Sequence, residues 1–424
     1  MSKTTPELSQ TGTEQIEILR QCASDPRLGS ARIQVLDADT GKPLIERAAW
    51  HARETASVMK TITCAVALEA LGPDFRIETR VVRGLAPDEI VLVGGGDVTL
   101  SRVAGDGATH YESPARLEHL AQLTLAALGG VAPTRVVLDD SLYAGGEWPD
   151  GEWYEEARSP GGYIPRMSSL QADGDRDDPA ADDSPRSLDP TGRAGAAFAA
   201  FLNVHASSGG VPELVRGTAP AGSEVLASVS SAPVEALVRE TLRTSDNALA
   251  ETLARLSAHA LGETPDFDGL ARALTATLVS FGVPVDGVKL IDGSGLAEGI
   301  RVPAASIADL LRRARLRQGV LGMLDDRLTR SGPGGTIAAS RFTEENTIVG
   351  DAVRAKTGFI NTVHSLAGIV RTTHGKDLVF AVFAMGQDMD PDHPAKRAVD
   401  DFVTQLHRHG DALLLLDTPL ELAD

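Results

Sequence analysis

The sequence predicts an α/β protein in which an antiparallel sheet is flanked by helices and interrupted by an inserted α/β domain. Three observations carry this prediction. Residues 31–49 and 352–386 alternate apolar and polar side chains in short stretches bounded by turn residues, which is typical of antiparallel strands. Helical periodicity recurs through much of residues 232–318. Residues 76–225 mix short strands with helices ahead of that helical block.

The N-terminal part is predicted to begin with a helix around residues 14–22 and a hairpin over residues 31–49, with Asp-Thr-Gly at its turn. A second helix runs from about Ser57 to Leu71 and is ended by Gly72-Pro73. The start of the chain has no basic stretch followed by an apolar one, so the sequence indicates no signal peptide.

The insertion is predicted to contain strands within residues 79–84, 89–96 and 135–143 and a helix near residues 114–128. Its residues 172–190 are acidic and rich in proline. We interpret this stretch as a solvated, mobile loop, with a calcium site as the alternative. The stretch lacks the glycine and the final glutamate of an EF-hand loop.

The C-terminal part is predicted to be helical first and then mostly β. The helical patterns cover residues 192–204, 232–262, 266–282 and 304–318. Three strands follow within residues 352–386, with His374-Gly375 as the turn between the last two, and a final helix covers about residues 394–409.

Composition excludes several classes of function. A formal net charge of −19 argues against nucleic acid as a partner, because binding phosphates needs a basic surface. The two cysteines, Cys22 and Cys64, exclude a cysteine-rich zinc site. Two buried thiols are favoured, and a bridge between them stays open. The glycine-rich stretches lack a phosphate-loop pattern and lone histidines such as His364 are interpreted as structural, so we expect no metal and no cofactor.

Three short motifs indicate nucleophilic catalysis by a serine. They are S-x-x-K at Ser57 and Lys60, S-D-N at Ser245 and Asn247, and K-T-G at Lys356, Thr357 and Gly358. A serine three residues before a lysine on a helix shares one face with it. The serine needs an adjacent base, and a lysine serves only if burial or a nearby cation depresses its pKa. Lys356 would be that cation.

The motif set is specific because its residues are scarce. The chain has seven lysines and four asparagines, yet each motif occurs once, in this order and on the expected kind of element. Together the three motifs are typical of serine β-lactamases and penicillin-binding proteins.

Further segments resemble the D-alanyl-D-alanine carboxypeptidase/endopeptidase family, the class C low-molecular-mass penicillin-binding proteins of the serine β-lactamase-like superfamily. The segments are residues 92–100, 138–143 and 292–296, Gly335-Thr336-Ile337 with Arg341, and residues 365–368. The resemblance implies a β-lactamase/transpeptidase-like penicillin-binding catalytic domain at residues 1–75 and 226–424. It also implies an inserted domain at residues 76–225, between S-x-x-K and S-x-N.

The resemblance implies a role for each motif residue. Ser57 would be the acylated nucleophile and Lys60 its base. Ser245 would relay a proton to the leaving group, and Asn247 would hold the peptide amide. These roles imply cleavage of peptidoglycan stem peptides through an acyl-enzyme, and acylation of the same serine by β-lactam antibiotics.

The resemblance also implies a substrate-binding strand. Lys356 and Thr357 would bind the terminal carboxylate, with Gly358 next on the strand, and the backbone N–H groups of Ser57 and Phe359 would bind the oxyanion. Asp140 resembles an aspartate of the inserted domain that recognises the free amine of a diamino acid, although a turn entry explains Asp140 on its residue pattern alone.

Three departures from the family stand out. Phe359 occupies a position where a small hydroxyl residue is usual, so the substrate side of the strand is expected to be crowded. The insertion is shorter than in many relatives. The family is extracytoplasmic, located in the cell envelope or secreted, yet the sequence shows no export signal.

Two rival functions stay open beside a serine DD-carboxypeptidase with or without endopeptidase activity. One is a related β-lactamase or esterase. The other is a non-catalytic penicillin-binding sensor or scaffold, which the intact motif set disfavours because a decayed site should have lost a member. The sequence leaves the preferred diamino acid and the number of subunits open, a homo-oligomer included.

Overall fold

The computed structural model describes residues 10–149, 153–332, 337 and 340–423. The chain divides into two compact units. The first comprises Met1–Glu69, Val238–Ser245 and Leu274–Asp424, and the second comprises Ala70–Leu237 and Asp246–Ala273. Within the described residues, no helix has both the length and the apolar character that crossing a membrane requires.

The described strands, in chain order, are β1 (Arg32–Asp37), β2 (Pro43–Arg47), β3 (Arg76–Arg83), β4 (Glu89–Val93), β5 (Arg135–Asp139), β6 (Glu213–Arg216), β7 (Val225–Pro233), β8 (Thr329–Arg330), β9 (Val353–Ile360), β10 (Val363–Arg371), β11 (Asp377–Met385) and β12 (Leu420–Leu422). The described α-helices are α1 (Gln10–Ala23), α2 (Lys60–Ala70), α3 (Leu117–Ala127), α4 (Pro190–His205), α5 (Val234–Thr244), α6 (Asn247–Ala260), α7 (Phe267–Ser280), α8 (Ala304–Arg315), α9 (Leu321–Arg327) and α10 (Pro394–His409).

The first unit is built on a sheet whose described strands run in the order β12-β2-β1-β11-β10-β9-β8. The hairpin β1–β2 and the meander β9–β10–β11 are antiparallel, as predicted. Every residue of β11 is buried, because this apolar strand is paired on both edges and packed on both faces. Helices α1 and α10 contribute Leu19 and Phe402 to the core cluster on one side of the sheet.

The second unit has its own sheet, with described strands in the order β6-β5-β4-β3-β7. Strands β4, β5 and β6 are parallel to one another, and the helices α3 and α4 supply the crossovers between them. Strand β3 pairs antiparallel with both β4 and β7. The core of this unit includes Leu92, Leu120 and Phe198, which are fully buried. The predicted inserted α/β architecture is confirmed.

The prediction of a solvated loop at residues 172–190 is only partly correct: Asp177, Asp178, Asp182 and Asp183 are exposed, but part of the stretch is buried. Asp173, Asp175 and Arg176 are buried. Their charges are met by partners, for example by Arg102, whose Nη1 lies 3.0 Å from Asp173 Oδ2, and by the hydroxyl of Ser187 on Asp175. The composition of the stretch shows how many charges it carries, but it does not show which groups pair with them. For the calcium alternative, the described residues hold no group of three or more His, Cys, Asp or Glu placed to bind a metal.

The single helical pattern predicted over residues 232–262 is interrupted. Helix α5 ends at Thr244 and α6 begins at Asn247, with Ser245 in the left-handed region at φ +63°. Asp246 caps α6, because its Oδ1 accepts a hydrogen bond from the Leu249 N–H at 2.7 Å. The periodicity was correct, and the break between the two helices was missed.

The compact units differ from the predicted domains at three places. Residues 70–75, 226–237 and 246–273 group with the second unit by compactness, whereas the sequence prediction put them in the catalytic domain. The predicted domain boundaries stay a prediction. Cys22 is half-buried, Cys64 is buried, and both are free thiols.

Candidate active site

The S-x-x-K motif lies where a 3₁₀ turn, Ala56–Met59, leads into α2. Lys60 is fully buried, and its Nζ lies 2.7 Å from the Oγ of the half-buried Ser57. Lys60 Nζ also donates to the carbonyl oxygen of Ser294 at 2.7 Å. The structure therefore brings the hydroxyl and the amine of the motif within direct proton-transfer distance.

A loop at residues 292–296 fixes the position of Lys60. Both carboxylate oxygens of Asp292 accept backbone N–H groups of this loop, at 2.7 Å from Gly295 and 2.8 Å from Ala297. Gly295 has φ +89°, and a Cβ there would lie 2.0 Å from the carbonyl oxygen of Ala56. Only glycine fits this approach. The Asp-Gly-Ser-Gly phrase is recognisable in the sequence, but nothing there indicates that its Ser294 carbonyl contacts Lys60.

The second lysine of the site is Lys356, which is fully buried on β9. Its Nζ donates to the Ser245 hydroxyl at 2.8 Å and to the Thr357 carbonyl at 2.7 Å. Burial lowers the pKa of Lys356 well below its ordinary value, and the positive charge of Lys60 lowers it further. Two serine–lysine pairs therefore lie in the first unit, and a positive charge on one lysine disfavours a positive charge on the other.

Gly358 lets β9 pass close to Ser57. A Cβ at this position would lie 2.3 Å from the Ser365 Oγ and 2.9 Å from the backbone nitrogen of Ser57. Ser365 in turn donates to the Thr55 carbonyl at 2.7 Å, which ties β10 to the turn that carries Ser57. The glycine of K-T-G is explained by this close approach of two backbones.

One cavity of about 260 Å³ collects most of the predicted residues. Ser57, Ser245, Thr357, Gly358 and Phe359 line it, and the remaining lining residues are Ser340, Arg341, His364, Pro391 and Lys396. Among these described lining residues two are cationic, Arg341 and Lys396, and none is a carboxylate. The cavity is therefore suited to an anionic group.

The sequence analysis missed His364 and Lys396 as members of this cavity. No local signal points to Lys396, because it lies on α10, far along the chain from the motifs. Its Nζ is 3.8 Å from an oxygen of Asp392, whose side chain is 97% exposed, so this pair is weak. Arg341, by contrast, is buried and donates from Nε to Asp400 Oδ1 at 2.6 Å.

His364 is a neutral side chain in contact with Phe359. Their ring centroids are 4.7 Å apart. Burial lowers the pKa of His364 to about 4, so the ring carries no proton charge at neutral pH. Its Nε2 lies 2.7 Å from the Asp390 carbonyl, which can only accept, so Nε2 carries the hydrogen and Nδ1 is an acceptor.

Asn247 and Asp140 belong to the second unit. Asn247 is the first residue of α6 and donates from Nδ2 to the Tyr163 carbonyl at 3.3 Å. Asp140 Oδ2 accepts hydrogen bonds from the Thr191 hydroxyl at 2.7 Å and from Arg216 at 3.2 Å. Asp140 lines a separate cavity of about 370 Å³, where its carboxylate is already paired with an arginine. Gly335 and Thr336 lie outside the described residues.

Comparisons with known proteins agree with this geometry. The profile of the D-Ala-D-Ala carboxypeptidase 3 (S13) family matches residues 15–184 and 179–406. The chain is 36% identical over 370 residues to the carboxypeptidase DacB of Mycolicibacterium smegmatis, covering 86% of this chain and 78% of that protein. It is 32% identical over 389 residues to a carboxypeptidase of Mycobacterium tuberculosis, covering 91% and 81%.

A solved structure shows the shared fold. Penicillin binding protein 4 of Haemophilus influenzae superposes with a TM-score of 0.74 at 17% identity, covering 94% of this chain and all of that one. This likeness supports the assignment of the fold. The profile and the two sequence relatives support the assignment of the family. The chain belongs to the D-Ala-D-Ala carboxypeptidase 3 (S13) family of enzymes.

Proposed function

We propose that this chain is a serine D-alanyl-D-alanine carboxypeptidase that trims peptidoglycan stem peptides through an acyl-enzyme on Ser57. The observation that carries the proposal is the pair of serine–lysine contacts in one unit. Lys60 lies 2.7 Å from the Ser57 hydroxyl and Lys356 lies 2.8 Å from the Ser245 hydroxyl. Both serines line the same cavity.

In acylation, the neutral amine of Lys60 takes the proton of Ser57 as Oγ attacks the carbonyl carbon of the penultimate D-alanine. The negative charge that develops on the carbonyl oxygen is met by the backbone N–H groups of Ser57 and Phe359. The C–N bond then breaks. Ser245, hydrogen-bonded to Lys356, passes a proton to the departing amine of the terminal D-alanine and takes up the proton held by Lys60, so that Lys60 is again a neutral amine.

In deacylation, water replaces the departed D-alanine. Lys60 takes a proton from this water as the water oxygen attacks the ester carbonyl, and the proton returns to Ser57 Oγ when the ester bond breaks. The C-terminal D-alanine of the shortened peptide leaves as a carboxylate, and the serine is regenerated.

The cation-lined cavity supports a substrate that ends in a carboxylate. We assign that carboxylate to Thr357 and Lys356, with Lys396 adding positive charge. Strand β8 pairs only with Arg354 and Ala355 of β9, so within the described residues the rest of that edge takes no strand partner. An extended peptide can add there as a strand. As separate proposals, Asn247 holds a peptide amide and Asp140 meets the free amine of a diamino acid.

Endopeptidase cleavage of cross-linked peptides is a second activity open to the same machinery. It would use the same acyl-enzyme, with a diamino acid in the place of the leaving D-alanine. Because peptidoglycan lies outside the cytoplasm, we also propose an extracytoplasmic site of action.

Replacing the terminal carboxylate by an amide tests the proposed recognition. Charge-assisted hydrogen bonds contribute about 1.5–3 kcal/mol, so kcat/KM for a peptide ending in D-alanyl-D-alaninamide should fall about 10- to 100-fold relative to the acid. Lys396→Met should lower kcat/KM for the acid more than for the amide. Lys376→Met, at an exposed turn, should change neither. Equal turnover of acid and amide by the wild type would assign Thr357 and Lys356 another role.

The lifetime of a penicilloyl adduct separates this proposal from a β-lactamase. Class A β-lactamases use a glutamate to activate water, and no described lining residue of the cavity is a carboxylate. With penicillin the leaving group stays attached and screens Lys60 from water. We expect an adduct that persists for many minutes after excess drug is removed, followed by mass spectrometry. Loss of the adduct within seconds, with repeated drug hydrolysis, would indicate a β-lactamase.

A further inference from the structure

We infer that Arg176, from the acidic segment at residues 172–190, is a positioning residue for the S-D-N motif and acts through Asp246. The inference rests on the proposed function, which gives Ser245 and Asn247, the neighbours of Asp246 in the chain, their roles in proton transfer and amide binding. Arg176 touches no substrate in this proposal.

The carboxylate of Asp246 is fixed at both oxygens. It is buried, and its Oδ1 accepts the N–H of Leu249 at 2.7 Å as the cap of α6. Its Oδ2 accepts Nη2 of Arg176 at 2.8 Å and the hydroxyl of Tyr111 at 3.0 Å. The middle residue of the motif is therefore held from two directions, by its own helix and by the inserted segment.

Arg176 is itself held rigidly. Its side chain is 3% exposed. Besides the bond to Asp246, Nε donates to the Asp182 carbonyl at 3.2 Å, and Nη1 donates to Tyr111 at 3.0 Å and to the Asp173 carbonyl at 3.3 Å. A planar guanidinium that is bonded at all three nitrogens has one orientation, so it can define the position of the carboxylate that it meets.

The S-D-N motif needs the restraint that Arg176 places on Asp246, because the backbone of the motif is unusual. Ser245 has φ +63°, which is costly for a residue with a side chain and persists only where the surroundings enforce it. The sequence pattern of residues 232–262 favours one continuous helix, and in a continuous helix Ser245 and Asn247 would point elsewhere. The link between Arg176 and Asp246 opposes that alternative.

The charges around Asp246 favour a permanent ion pair between Asp246 and Arg176. Burial alone would raise the pKa of Asp246, but the positive charges of Arg176 and Arg186 outweigh it and hold the pKa below its ordinary value. Other charged or titratable groups near Asp246 include His110, whose Nε2 lies 3.9 Å from Oδ2. Asp246 is therefore ionised at the pH where the enzyme works.

Three variants test the inference by the limiting rate of acylation at saturating benzylpenicillin, normalised to the final amount of adduct. Arg176→Met should slow this rate at least tenfold. The double variant Arg176→Met/Asp246→Asn removes the unpaired buried charge, so its thermal midpoint should return toward that of the wild type while its acylation stays slow. Arg102→Met is the matched control, because Arg102 bonds the same segment through Asp173 and through the backbone carbonyls of Arg176 and Asp177. No hydrogen bond joins it to Asp246 or to the guanidinium of Arg176, so its rate should stay within twofold of the wild type.

Two outcomes would overturn the inference: wild-type acylation in the double variant, or an Arg102→Met variant as slow as Arg176→Met. If Arg176→Met does not fold, the double variant and the control still decide the question. A wild-type protein that forms no adduct would instead overturn the proposed function, so the two failures are distinguishable.

Discussion

Ser57→Ala should form no covalent adduct with benzylpenicillin and should lose peptide hydrolysis. The lactam carbonyl mimics the amide of the terminal dipeptide, and Ser57 Oγ, which Lys60 contacts at 2.7 Å, is the proposed nucleophile. Without that oxygen no ester can form, so we expect kcat to fall by on the order of 10⁴-fold or more, as for other enzymes that lose their nucleophile. Intact-protein mass spectrometry and release of D-alanine measure the two losses.

The matched control for this variant is Ser340→Ala, because Ser340 lines the same cavity and is exposed. It should keep the adduct and most of the turnover. An adduct on the Ser57→Ala protein would show that another residue is the nucleophile. A wild-type protein without adduct and without turnover would favour the non-catalytic sensor or scaffold.

Lys60→Arg should be nearly inactive although it keeps a positive charge. A guanidinium does not deprotonate at working pH, so it cannot take the proton of Ser57. General base catalysis contributes about 10²- to 10⁴-fold to a rate, so we expect the acylation rate to decrease by a factor in that range. Stopped-flow acylation by a chromogenic penicillin measures it.

Because Lys60 is fully buried, Lys60→Met is needed beside the arginine variant, since methionine fits the volume without adding bulk. Both variants should be acylated slowly. The thermal unfolding midpoint of each variant shows whether a loss of acylation is caused by unfolding. Lys376→Arg serves as the control at an exposed position. Acylation of Lys60→Arg at the wild-type rate would refute the base role.

Local patterns made much of the fold predictable. The hairpin β1–β2, the meander β9–β11 and the helix α10 follow from alternation, turn residues and helical periodicity within one short stretch. The contact between Lys60 and Ser57 was predictable for a chemical reason, since a serine and a lysine three residues apart on a helix share one face.

Contacts between distant parts of the chain were not predictable. Nothing near Lys396 in the sequence shows that α10 brings it to the cavity of Ser57. The Ser294 carbonyl contacts Lys60 because a distant loop folds back on α2. The acidic segment was partly misjudged for the same reason, because Arg176 finds its carboxylate 70 positions further along the chain.

The pairing of β1 with β11, in which Arg32 lies opposite Phe383, has a consequence for biosynthesis. A ribosome makes β1 long before β11, so these two central strands of the sheet cannot pair until β11 has emerged. The sheet of the second unit, β3 to β7, is complete much earlier and can fold as a unit in that interval. A nascent chain that stops before β9 already carries Ser57 and Lys60 but has no Lys356 beside them. We therefore expect a nascent chain to form no acyl-enzyme until β9 has been made and Lys356 has joined the site.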